Sequence, residues 1–151
     1  MEIFSGEIWI DSKGKISALN YSSKEEQKAK QILTANIKKE MYSAINRWNE
    51  NVLVAKAEKL LIRIDRSDSG LRYVSWSNGR TMKDPPDIIL YNGIEEARGT
   101  MGGWTRTFTN GAWNYIVDDV EMCDNGSNCG LFLELLFKEE LRSKIKLKEI
   151  K

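Results

Sequence analysis

Residues 88–118 read IILYNGIEEARGTMGGWTRTFTNGAWNYIVD, and they decide the fold class. Two Asn-Gly pairs, at Asn92 and Asn110, interrupt runs of strand-forming residues. Asn and Gly tolerate the positive φ of tight hairpin turns, so each pair reads as a turn. Ile88 to Tyr91 precedes the first and Ile94 to Thr100 follows it; Trp104 to Thr109 precedes the second and Ala112 to Asp118 follows. Further Asn-Gly pairs at Asn78 and Asn125 continue the rhythm, at spacings of 14, 18 and 15 residues. The pattern is that of an antiparallel β-meander.

Strand alternation within this stretch sorts its side chains. If Thr109 pairs with Ala112, Trp113 faces Phe108 and Tyr115 faces Arg106. Trp104, Arg106, Phe108, Trp113 and Tyr115 then share one face, while Thr105, Thr107, Thr109, Ala112, Asn114 and Ile116 share the other. A sheet with one apolar and one polar face is covered on one side.

On the C-terminal side, Leu131 to Phe137 is an apolar run broken by Glu134, the signature of a well-covered strand. Arg142 to Ile150 alternates around Ile145 and Leu147, with Lys144, Lys146 and Lys148 on the opposite face. Such a lysine row either guards an edge strand against aggregation or touches phosphates, and the first reading is the commoner one. On the N-terminal side, Asp84-Pro85-Pro86 is a break. Val52, Val54, Ile62 and Ile64 alternate as two short strands, although Ala55 to Leu61 also suits a helix. Residues 2–21 read as a hairpin around Asp11-Ser12-Lys13-Gly14.

One segment has helical periodicity. Ala29, Ile32, Leu33, Ile37, Met41, Ala44, Ile45 and Trp48 recur every three or four residues, behind Ser22 and Ser23 as capping serines. The fold expected is therefore α+β, in one domain over residues 1–151. One long amphipathic helix, about residues 24–48, packs on a curved, mostly antiparallel meander sheet or partly open barrel.

Composition removes several functions. The 151 residues contain no histidine, which excludes a Ser-His-Asp relay, His-ligated zinc and an imidazole base. With 23 Lys+Arg against 22 Asp+Glu there is no broad basic field, which argues against nucleic acid as partner. No apolar run has the ~20 residues of a membrane span. The N-terminus lacks a secretory leader pattern, so the default location is the cytoplasm. Cys123 and Cys129 enclose a five-residue polar loop and suit either a local disulfide or two thiols. A disulfide would indicate an oxidising, secreted or periplasmic setting with a leader removed. No metal-ligand spacing, phosphate loop or cofactor fingerprint is present.

The remaining candidates are surfaces. Trp104, Arg106, Trp113 and Tyr115 form an aromatic cluster with one arginine, suited to stacking on a ligand or simply to facing the core. Asp118 and Asp119 open an acidic stretch that would attract a basic partner. The reading is a non-catalytic binding module for a protein partner or small ligand, of the inhibitor, immunity or accessory type. Its alternatives are an enzyme using a buried carboxylate such as Glu134 with Tyr73 or Tyr115, and a secreted or lipid-anchored domain. Oligomeric state is not legible.

Overall fold

A computed structural model describes residues 2–3, 6–10, 16–19, 23–123 and 129–150. They fall into two compact units, residues 1–46 with 151, and residues 47–150.

The first unit holds strands β1 (Glu2–Ile3), β2 (Gly6–Ile10) and β3 (Ile16–Leu19), antiparallel in the order β1-β2-β3, and helix α1 (Ser23–Lys39). Ile10 pairs with Ile16, as a hairpin over residues 2–21 requires; its turn lies outside the described residues. The helix is shorter than its periodicity suggests, 17 residues rather than a run to residue 48. Lys38 and Lys39 in its last turn suit the negative end of the helix dipole. Beyond it Tyr42 has φ −54° and ψ 135°, an extended conformation that an α-helix cannot carry. Met41, Ile45 and Trp48 are nevertheless buried. Their spacing reported burial, not helix.

The second unit is a closed eight-stranded barrel, not a partly open one. Its strands are β4 (Glu50–Ala57), β5 (Leu60–Ser67), β6 (Gly70–Trp76), β7 (Ile88–Ala97), β8 (Gly103–Asn110), β9 (Trp113–Val120), β10 (Gly130–Phe137) and β11 (Glu140–Glu149). All neighbours are antiparallel, in the order β10-β11-β4-β5-β6-β7-β8-β9. Closure gives every strand two neighbours and leaves little of the edge that an open sheet must protect. Residues 52–66 form the strand hairpin β4–β5, turning at Glu58-Lys59 with Glu58 at φ 48°.

An eight-stranded barrel has an interior just wide enough for side chains to fill. Alternate residues supply them: Leu53, Ala55, Ile62, Ile64, Leu71, Tyr73, Leu90, Phe108, Val117, Leu131, Leu133 and Leu147. The two Asn-Gly pairs behave differently. Asn110 pairs with Trp113, so Gly111-Ala112 is the turn and the β8–β9 register lies two places from the expected one, with alternation unchanged. Asn92-Gly93 is not a turn. β7 runs straight through it, and Asn92 at φ 59° marks the irregularity between Leu71 and Tyr73 in the β6–β7 ladder. One left-handed residue serves a bulge as well as a hairpin.

Candidate functional site

The expected aromatic cluster is dispersed along one column of inward-facing positions. Phe108 sits opposite Tyr115, Arg106 opposite Val117 and Trp104 opposite Asp119. Trp104 and Trp113 lie at opposite ends of this column, six residues apart along β9, or about 20 Å. Tyr115 packs on Tyr73 with ring centroids 5.5 Å apart, and Trp113 on Phe137 at 5.0 Å. Burial pushes the Tyr73 hydroxyl well above its usual range. These rings form core and barrel rim, not one stacking platform.

Trp104 and Arg106 do share one mouth of the barrel. The Arg106 guanidinium carbon is 6.0 Å from the Trp104 ring centre, and Arg106 Nε donates to Glu95 Oε2 at 2.8 Å. Arg66 Nη2 donates to Glu95 Oε1 at 3.1 Å and Arg66 Nε to Glu50 Oε2 at 3.2 Å. Burial alone would raise the Glu95 carboxyl, but Arg106 and Arg66 outweigh it and hold it below the usual range. A lowered carboxyl stabilises the fold above the unfolded-state pKa, and that contribution is lost as pH falls through the folded-state value. Glu95→Gln should therefore flatten the loss of stability on acidification below the ordinary glutamate range. Urea midpoints across a pH series check this, and an unchanged acid limb would refute it.

Asp118 faces outward. Thr105 Oγ1 donates to its Oδ1 at 2.7 Å and Arg98 Nη1 at 3.2 Å, so an arginine just past the end of β7 occupies it. Asp119, on the inward column, is half-buried. Glu134 lies on the outer wall near Asp118, with Lys144 Nζ 3.9 Å from its Oε1. Burial first, then the Asp118 charge, push its carboxyl above the usual range, against the pull of Lys144. Cys123 and Cys129 are joined, with Cα atoms 5.6 Å apart; the acidic residue Asp124 between them lies outside the described residues. Among the described residues no three His, Cys, Asp or Glu side chains gather as a metal site, and no helix is long and apolar enough to cross a membrane.

A groove of about 970 Å³ opens elsewhere, beside the seam that closes the barrel. Among the described residues β11 meets β4 through two strand pairs, Lys148 with Lys56 and Glu149 with Ala55, continued by one backbone bond from Ile150 to Val54. Past Lys56 the chain turns back at Glu58-Lys59, while β11 extends on toward Glu140. The gap between them is lined by Lys56, Lys59, Lys144, Lys146 and Lys148, with Glu58 the one acid. Its floor is Ala57, Leu60, Ile145 and Leu147, from the inward face. The five lysines are exposed. Lys144 reaches Glu134 and lies 4.7 Å from the Phe132 ring centre; among the described residues no carboxylate lies within 4 Å of the other four.

The lysine row of β11 was visible in the sequence. Its convergence with Lys56 and Lys59 was not, because it depends on the register that sets Lys148 against Lys56, some ninety residues earlier in the chain. Comparison with protein-family models, with curated proteins and with solved structures returns no match.

Proposed function

We propose that the barrel is a non-catalytic binding module and that the lysine-rimmed groove is its working surface, taking an anionic ligand or an anionic segment of a partner. The observation that carries this reading is the composition of the groove: five lysines and one glutamate around an apolar floor, with Ser77 and Asn78 completing the lining. Ligand sites are concave and largely apolar, with a few polar groups that fix orientation. Four lysines without a carboxylate neighbour keep their charge available to a ligand. Clustered like charge at a concave surface also raises the local concentration of a counter-ion. The chain is near neutral overall, so this is a local field, not the broad one a polyanionic duplex needs.

Poly-L-glutamate is the first probe, followed by titration calorimetry at low salt. The expected result is saturable binding that weakens as salt rises, and that falls by about tenfold or more for Lys146→Glu/Lys148→Glu. Both positions are exposed, so the melting temperature should barely move. Absence of binding to the wild type, or equal binding by the variant, would overturn the reading.

A further inference from the structure

Resting on that reading, we infer that the groove takes its ligand as an added β-strand: an extended acidic peptide segment, with acidic and apolar residues alternating, laid along the open edge of β11.

Ile150 N–H donates to Val54 C=O at 2.8 Å, which fixes the side of β11 that faces β4. The N–H and C=O groups of successive strand residues point to alternate sides. Lys148, Lys146 and Lys144 therefore turn their backbone groups toward β4, as Ile150 does. Lys148 finds Lys56 there. Continuing the register would set Lys146 against Glu58 and Lys144 against Leu60, but β4 ends at Ala57 and the chain turns back. Lys146 and Lys144 thus present an N–H and a C=O each to the groove, with no strand opposite them among the described residues. The other side of the strand is sound, since the intervening Ile145 and Leu147 face β10, where they pair with Leu133 and Leu131. A rigid strand with one satisfied and one open side is a template for strand addition.

Side-chain alternation then selects the peptide. An added strand sends every second residue inward, over Ala57, Leu60, Ile145 and Leu147, and the others outward beside Lys56, Lys144, Lys146 and Lys148. Apolar residues suit the first set and carboxylates the second. The same lysines disfavour a second copy of this chain, because two β11 edges would bring lysine rows side by side. A row of lysines repels a basic strand, disfavours a neutral one through the cost of desolvating its ammonium groups, and attracts an acidic one, so edge protection and selectivity have the same cause.

The test uses a blocked heptapeptide alternating glutamate with valine, titrated into the ¹⁵N-labelled full chain. Comparators are a peptide of the same composition with its valines contiguous, and two versions N-methylated at either the glutamates or the valines. Strand addition expects shifts at Lys56 and Lys144 to Lys148, and slowed amide exchange at Lys144 and Lys146. It also expects one N-methylated peptide to bind about tenfold or more weakly while the other keeps its affinity, since only alternate amides face β11. Equal binding of all four peptides overturns strand addition and leaves the anionic groove standing. Tighter binding of inorganic tripolyphosphate or an oligothymidylate at the same amides overturns the peptide ligand and likewise leaves the groove. If no anionic probe moves these amides, both readings fall.

Discussion

Replacing Asp65 with alanine should destabilise the barrel by about 3–5 kcal/mol, the loss expected when a buried ion pair loses one partner. Asp65 is fully buried on the outward side of β5, with 0% of its surface exposed. Arg63 Nε donates to it at 2.9 Å, and Arg72 donates through Nε and Nη2, each at 2.8 Å. Both arginines are themselves buried. Arg63 lies 4.6 Å from the Trp48 ring centre and its Nη1 reaches Met82 Sδ at 3.8 Å, so its surroundings are largely apolar. Burial pulls the Arg63 pKa down, and the hydrogen bond that Arg63 donates to Asp65 is the leading opposing effect. Alanine removes the carboxylate on which the two guanidiniums converge. Replacing the whole group, as Arg63→Met/Asp65→Leu/Arg72→Met, should lose less than Asp65→Ala alone, because no buried charge then remains. Urea unfolding at constant slope gives both numbers. A loss under about 1 kcal/mol for Asp65→Ala would mean that water reaches this carboxylate.

This group also marks where sequence reasoning stops. Along β5, Arg63 and Asp65 alternate with Ile62 and Ile64, and that pattern ordinarily means a core face and a solvent face. Here both faces are buried, as they are on β6, where Val74 and Trp76 point away from the interior yet are fully covered. Alternation identifies which residues share a face. It does not say what lies over that face. Trp48 shows the same limit from the other side: its helical spacing was real, but its contact is with the Arg63 guanidinium, beyond the end of the helix.

The meander, the strands around residues 52–66 and the alternation of β8 with β9 were legible because each rests on local chemistry: turn residues, β-branched runs and period two. Closure of the barrel was not, since it requires two residues of β11 to find β4 across most of the chain. The candidate site followed the same division. The row Lys144, Lys146 and Lys148 is local and was read correctly as one face. Its meaning depended on where β4 runs out, a consequence of strand stagger in a closed barrel. The aromatic residues were placed on one face by the same logic, but a face that curves into a barrel interior becomes core, and Phe108 and Val117 are fully buried at its middle.

Gly103→Ala should be among the most damaging single-methyl additions in the chain, by about 3–5 kcal/mol from backbone strain and overpacking together. Gly103 opens β8 at φ 85°, a region L side chains rarely adopt, and pairs with Val120. A Cβ built there would overlap the carbonyl oxygen of Asp119. That oxygen belongs to the β9 backbone, held on its other side by β10, where Asp119 pairs with Leu131. The clash cannot be relieved by turning a side chain. Gly93 makes the contrast. Its Cβ would run into the Phe108 ring, a side chain, and its φ is not in the left-handed region. Gly93→Ala should lose about 1–3 kcal/mol, and Phe108→Leu in the same chain should recover part of that loss, a coupling readable in a double-mutant cycle. Gly103→Ala should show no such coupling with any single side chain around it. If Gly103→Ala unfolds at the wild-type urea midpoint, the close approach of β8 to β9 at this end of the barrel is wrong. With it would go the register that places Trp104 against Asp119 and sets Arg106 beside Glu95.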